Sequence, residues 1–324
     1  LIDGATSVHT PAIPGGSPTG TAVTNGGGSM TSITSDGSSF SATDGSDIYE
    51  WANNATATDA AWSTFDSDLL GYVKGRLMSA HDNIVSNITA FNAKTDVVTH
   101  ANTAFRWVGF AEGPNHIYMA GYAGDKSLIY KTTIKADGTA LDAGSVAGEL
   151  PDGEIVRTIK GYLGFLLIGT DTGVRLATID TNGNLTLGAR IATDNAVSCF
   201  EGQDRFVWFG WTDYDSTSTG LGRLDLTVLN GSAPAYASDL MCSEQGAVLD
   251  VVTFQDVRVF TVSGDGVFAE DSTKVASGSI DSGLITFGLP ERKVAFYLTV
   301  SHQPLDGEVT ASLAGDSGAF TALA

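Results

Sequence analysis

Hydrophobic and polar positions alternate along most of this chain in short runs that break at small residues and aspartate. The clearest case is Leu167–Leu176, LIGTDTGVRL, an apolar run, a small-residue and Asp turn, then a second alternating run. Alternation with period two predicts a strand, and two such runs around a tight turn predict a hairpin. The same pattern recurs as FSATDGSDIY, LMSAHDNIVS, YMAGYAGDKSLIY, WFGWTDYDSTSTGLGRL and FTVSGDGVFA. With LIGTDTGVRL, the copies begin at residues 40, 77, 118, 167, 208 and 260, so they recur every 37 to 52 residues. The copy at 77 is placed by setting its upstream Gly71-Tyr72 against Gly161-Tyr162 without a gap.

That period suits a radial repeat of about four strands per unit. The expected fold is all-β, a β-propeller of about six blades followed by the start of a β-sandwich. One blade can be read in full: Arg157–Lys160 leads into Gly161–Thr170, then Gly173–Asp180, the turn TNGN and Leu185–Leu187. Asn182-Gly183 predicts a type I′ hairpin, whose two central residues both need positive φ. Ala136-Asp137-Gly138-Thr139 fills the equivalent slot one blade earlier. Asn53–Leu70 lacks alternation and is expected to be helical or irregular, on the outside of a blade.

Residues 1–39 are rich in Gly, Ser and Thr and cannot bury enough apolar surface to fold alone. They are expected to be a linker or to supply a strand to the last blade, although Met30–Phe40 already has strand-turn-strand character. The propeller is expected over 40–284. Residues 285–324, with the strong strand Lys293–Val300 and the turn Pro304–Gly307, are expected to open a sandwich or form a final blade. A start at Leu1 and an end at GAFTALA suggest part of a longer or processed chain.

Composition narrows the function classes. The net charge of −20 would repel nucleic-acid phosphates and anionic membrane surfaces. The longest apolar run, Gly161–Gly169, is far too short to span a bilayer. Acidity could attract calcium or a basic partner, and colloidal solubility explains it equally well. The two cysteines, Cys199 and Cys242, are too few for a thiolate metal cluster. They read as small buried side chains, with a disulfide left open.

Candidate chemistry is sparse. GxxxxGK[ST], GxSxG and HExxH are absent, and the five histidines are scattered. The aspartates Asp36, Asp44, Asp137, Asp171, Asp180 and Asp265 fall in turns, where a short carboxylate caps backbone amides. Ser35–Phe40 departs from the SxDxGxxW spacing of sialidase-type propellers. Asp180–Asn184 resembles part of a calcium loop without the remaining ligands, so no cofactor is assigned and calcium is the one cation left open. The repeat turns should share one rim, and two are richer than the rest: GYAGDKS at 121–127 and WTDYDSTSTG at 211–220. Trp211, Asp213, Tyr214, Tyr122 and Asp125 are the binding candidates, because an aromatic beside Asp or Ser suits sugar stacking or a protein anchor.

The stretch GYLGFLLIGTDTGVRLATIDTNGNLTLG resembles the propeller blades of minor tail proteins from tailed bacteriophages, especially those of actinobacteria. SGLITFGLPERKVAFYLTVSHQPLDGEVTASL is similar to the join in such proteins between a propeller and a β-sandwich. The likeness spans residues 40–315. It implies a structural virion protein at the tail tip, placed to meet the host surface. It also implies contact with other tail proteins, assembly as a homo-oligomer within the tail, a host-surface glycan or protein as partner, and no catalytic residues. The rival reading is a secreted carbohydrate-active or sugar-binding propeller. As an enzyme it would need carboxylates converging on the central channel. Beside the first strands expected at Val156–Lys160 and Val248–Thr253, only Glu154 and Asp250 are near.

Overall fold

The computed structural model describes residues 7–10, 19–22, 30–52, 61–193, 195–211, 219–230, 233–242, 246–271, 310–313 and 321–322. The chain divides into two compact units, Leu1–Thr273 and Lys274–Ala324. In the second unit the described residues form one hairpin, Ser312–Leu313 with Thr321–Ala322. The expected strand Lys293–Val300 and turn Pro304–Gly307 lie outside the described residues.

The first unit opens with a hairpin, β1 (Ser7–Thr10) and β2 (Thr19–Ala22), which pair only with each other among the described residues. Six antiparallel sheets follow as the blades of a six-blade β-propeller. Blade 1 holds β3 (Ser32–Ser35), β4 (Ser39–Thr43) and β5 (Ile48–Ala52). Blade 2 holds β6 (Leu69–Val73), β7 (Arg76–His81), β8 (Ile84–Ala90) and β9 (Ala93–Thr99). Blade 3 holds β10 (Arg106–Glu112), β11 (Ile117–Ala123), β12 (Lys126–Thr132) and β13 (Ser145–Glu149). Blade 4 holds β14 (Val156–Tyr162), β15 (Phe165–Thr170), β16 (Gly173–Ile179) and β17 (Leu185–Leu187), with β18 (Ile191–Ala192) also on β16. Blade 5 holds β19 (Phe200–Gln203), β20 (Phe206–Trp211), β21 (Thr219–Asn230) and β22 (Ala233–Cys242). Blade 6 holds β23 (Val248–Phe254), β24 (Val257–Val262) and β25 (Gly266–Ala269). The first strands of successive blades, from β3 through β6, β10, β14 and β19 to β23, lie against one another and form the hub.

The repeated sequence motif is the hairpin of second and third strands. The second strand is its most apolar part because it is buried on both faces. Leu166 and Ile168 pack with blade 3, whereas Leu167 between them packs with blade 5. Val207 and Phe209 likewise meet blade 4, while Trp208 meets blade 6. Each core therefore lies between neighbouring blades, and a propeller adds one such core per blade.

Three expectations need correcting. First, the gapless match of Gly71-Tyr72 to Gly161-Tyr162 is one residue out of register. The turns Lys74-Gly75 and Leu163-Gly164 set the true equivalence, which pairs Met78 with Leu167 and Leu77 with Leu166. Met78 and Leu167 both pack toward the following blade, and Leu77 and Leu166 toward the preceding one. A shift of one would exchange those faces. Second, Asn182-Gly183 is not a type I′ turn: Gly183 has φ +79° and Asn182 has no positive φ. Gly183 N–H donates to Asp180 O at 3.0 Å, and the Asp180 carboxylate takes the amides of Asn182 and Asn184 at 2.9 and 2.7 Å. Gly138 repeats this arrangement, with φ +71° and its N–H on Lys135 O at 2.8 Å. Third, of the two alternatives for Asn53–Leu70 the helical one falls away, since the described residues 61–70 contain no helix, while 61–68 run irregularly along the outer edge of blade 1. Ser63 and Ser67 bridge to blade 1 at Ile48 and Gly45, and Leu69-Leu70 open β6.

Leu163 sits in the two-residue turn between β14 and β15 with φ +47° and 62 % of its surface exposed. A leucine there carries left-handed strain without burying its side chain. Leu163→Asn should stabilise the protein by about 0.5–1 kcal/mol, because asparagine tolerates this conformation better. A urea midpoint that falls instead would show that the leucine is held by contacts outweighing the strain.

Candidate functional site

Antiparallel alternation places every turn between second and third strands at one end of the propeller, with the connections into the next first strands. At this end the turn residues are tied down by their own side chains. The Asp44 carboxylate accepts from the amides of Ser46 and Asp47 at 3.0 and 2.9 Å and from the Tyr49 hydroxyl at 3.0 Å. Burial and that bond push the Tyr49 hydroxyl up to about 12. In blade 4, Thr170 Oγ1 accepts from Thr172 N–H at 3.2 Å, and Asp171 accepts from Ile155 N–H at 2.9 Å.

Blade 2 departs from this arrangement. His81 occupies the place of Thr170, and its imidazole meets three carboxylates: Nδ1 is 3.0 Å from Asp68, and Nε2 is 3.5 Å from Asp82 and 3.9 Å from Asp66. Arg106, opening blade 3, lies 3.4 Å from Asp82. Beside them is a cleft of about 320 Å3 lined by Asp68, Ala80, His81, Asp82, Arg106 and Trp107. The sequence carried the signal as a histidine where a second strand elsewhere ends in a capping threonine. The alignment that was one residue out of register hid it.

The expected candidates are placed differently. Trp211 ends β20 half-buried, stacked on Phe209 at 5.8 Å and 6.2 Å from Tyr236, so its ring is part of the blade 5 packing. Asp213 and Tyr214 lie outside the described residues. Tyr122 belongs to β11 rather than to a turn, and its ring lies beneath the Arg157 guanidinium at 5.8 Å. Asp125 is in the turn, where its carbonyl accepts from Gly153 N–H at 2.9 Å. Of the described candidates, Trp211 stands on blade 5 and Tyr122 and Asp125 on blade 3, so these three do not form one cluster.

The carboxylates of the rival reading are also accounted for. Glu154 receives Arg175 in a two-pronged pair, Nε to Oε2 at 2.7 Å and Nη2 to Oε1 at 2.6 Å, with Arg190 3.8 Å away. Asp250 follows a bulge at the start of β23, a feature shared by β10 and β14. Bulges re-aim side chains, here at one end of the hub. Asp250 is exposed and its carboxylate accepts from Val251 N–H at 2.9 Å, yet desolvation by the strands around it raises its pKa. In contrast, Asp36, Asp137 and Asp180 are held below the usual carboxylate range, chiefly by the backbone amides of Ser39, Thr139 and Asn184.

These shifts have opposite consequences. The lowered aspartates stabilise the fold at neutral pH and lose that contribution as the pH falls below the ordinary Asp value. Asp250 is destabilising while charged and ceases to be so when protonated. Asp250→Asn should therefore raise the urea midpoint at pH 7, with the gain shrinking as the pH falls toward 4. A loss of stability at pH 7 would mean that the charge is compensated.

No disulfide joins Cys199 and Cys242; both are buried in the core between blades 5 and 6, and burial pushes the Cys199 thiol well up. Among the described residues no group of three or more His, Cys, Asp or Glu side chains is arranged to hold a metal ion, and no helix is long and apolar enough to cross a membrane.

The sheets and hub define the class: a six-blade, all-antiparallel β-propeller. Comparison with solved structures agrees at the level of fold. A protein from Lactobacillus plantarum superposes with a TM-score of 0.58 at 14 % identity, covering 79 % of this chain and 85 % of that one. The computationally designed Ika8 protein superposes with a TM-score of 0.52 at 12 % identity, covering 76 % of this chain and 72 % of that one. No family model and no curated protein sequence matches the chain.

Proposed function

We propose that this chain is a structural component of a bacteriophage tail, a minor tail protein at the tail tip, and that its propeller contributes to adsorption on the host surface. The reading rests on the likeness of Gly161–Gly188 to tail-protein blades, now placed as three whole strands and part of a fourth in blade 4. The observation that carries its non-catalytic side is that the turn aspartates and Glu154 are engaged within the protein. Asp36, Asp44, Asp137, Asp171 and Asp180 cap turn amides, and Glu154 is locked to Arg175. Such a scaffold suits recognition by shape and by side chains at the rim. The partners in this reading are other tail proteins, further copies of the chain and a host-surface glycan or protein.

Electron microscopy of virions labelled with antibody against this chain tests the assignment. Label at the tail tip is the expected result, and virions without tail label overturn it.

A further inference from the structure

We propose that His116 makes the junction between blades 3 and 4 acid-sensitive: protonating its imidazole loosens the grip of blade 3 on the turn Asp180–Asn184 of blade 4. Three side chains of blade 3 latch onto that turn. Tyr118, fully buried, donates its hydroxyl to Gly183 O at 3.0 Å. The Lys131 ammonium donates to Asn182 O at 2.5 Å and to Asn184 Oδ1 at 2.6 Å. The His116 imidazole, in the connection between β10 and β11, lies directly on Gly183. A Cβ at Gly183 would stand 2.6 Å from both Cε1 and Nδ1 of the ring, and Gly183 is buried although it sits in a turn. The turn thereby shields one side of the imidazole from water.

The groups around the ring favour its neutral form. Two are ammonium groups: Lys131 from β12, and Lys74 from blade 2, whose Nζ donates to Pro114 O at 2.9 Å in the same connection as His116. The opposing charge is Asp180, whose carboxylate is already engaged by the amides of Asn182 and Asn184 at 2.9 and 2.7 Å and by Asn184 Nδ2 at 3.0 Å. Glu112, at the end of β10, is turned to Lys74 N–H. The Tyr118 hydroxyl, pushed up to about 12 chiefly by burial, stays neutral. A protonated His116 would be a further cation beside Lys131 and Lys74, on a ring partly stripped of water. Partial burial, and after it the charge of Lys131, accordingly hold His116 below the ordinary histidine value.

Folding makes this proton harder to bind, so the latch is at full strength above about pH 6.5 and weakens as the pH falls through the ordinary histidine range. The turn aspartates do not act in that window, since Asp137 and Asp180 are held below the usual carboxylate range. The preceding junction supplies a comparison within the same molecule. Blade 2 grips the equivalent turn of blade 3 through Arg76, whose Nη2 donates to Gly138 O, and a guanidinium keeps its charge at every pH in question. Acid should therefore loosen the turn of blade 4 and leave that of blade 3 in place. The inference concerns this junction alone and does not depend on the tail assignment, which the labelling experiment tests separately.

The test is hydrogen exchange of the full chain at pH 7.5 and pH 5.5, read by mass spectrometry and expressed as protection factors. Residues 180–184 should lose about threefold in protection at the lower pH, and residues 135–139 of blade 3 should lose less. His116→Gln keeps a neutral polar side chain and removes the titration, so in that variant the two turns should respond alike. Proton NMR of the histidine rings in the parent should show His116 titrating below about 6.5. That titration needs no variant, so it decides the matter by itself should His116→Gln fail to fold. The proposal is overturned if the two parent turns lose protection equally, if the loss at 180–184 persists undiminished in His116→Gln, or if the His116 ring titrates at or above about 6.5.

Discussion

Gly161→Ala should cost the protein at least about 3 kcal/mol, a large share of its stability. A Cβ at this position would stand 1.6 Å from the carbonyl oxygen of Glu112 and 2.8 Å from its carbonyl carbon. Both atoms are backbone, at the end of β10, where Glu112 is paired with Ile117. No rotamer change can relieve the overlap, so two first strands would have to separate at the hub. Overpacking a core costs about 1–3 kcal/mol when side chains can yield. A clash with paired backbone belongs at or above the top of that range, against a total stability of about 5–15 kcal/mol. Urea unfolding followed by circular dichroism reads the change directly. A midpoint within error of the parent would show that the hub is looser than described.

Arg175→Met should be nearly as damaging, at about 3–5 kcal/mol, for a different reason. Arg175 and Glu154 have side chains 13 % and 10 % exposed, and Arg175 also donates to Gly188 O at 2.7 Å. Among the described residues, removing the guanidinium leaves the buried carboxylate with only Arg190, 3.8 Å away, as a charged partner. Breaking one side of a buried pair costs more than the pair contributes, because the remaining charge keeps its desolvation penalty. Arg190 should hold the loss toward the lower end of the range. Replacing both residues, Glu154→Leu with Arg175→Met, should recover most of it. A double-mutant cycle from urea unfolding measures this. Additive losses would mean that the two side chains act independently. The cycle also bears on the rival glycosidase reading, since a carboxylate whose main role is this ion pair is poorly placed to serve a sugar bond.

Much of the fold was legible because its signals are local. Every copy of the repeat contains a second strand, and the apolar run Phe165–Ile168 exists because both faces of that strand are buried. The capping aspartates were legible for the same reason, since Asp36 and Asp180 bond to amides within four residues. Register was less secure. Two Gly-Tyr pairs, 71-72 and 161-162, look equivalent in sequence, yet Gly71 lies against the Phe110 side chain while Gly161 lies on the Glu112 carbonyl. Only the turn positions show that they are one residue apart. The binding candidates were chosen for aromatic richness, which did not separate a recognition surface from ordinary packing at Trp211 and Tyr122.

The sequence by itself determined that this protein is a repeat of antiparallel hairpins with aspartate- and glycine-marked turns. Alternation and turn chemistry act within a few residues and need no neighbour to be expressed. The tertiary structure decided what those hairpins bring together. Blade packing joined Glu154 to Arg175 and pressed Gly161 onto Glu112. It also placed Asp66 and Asp68, from the connection between blades 1 and 2, around His81, with Arg106 and Trp107 of blade 3 beside them. Those contacts depend on which face of each strand meets the next blade. That is settled by one-residue register and by desolvation between sheets, neither of which any single stretch of the chain contains.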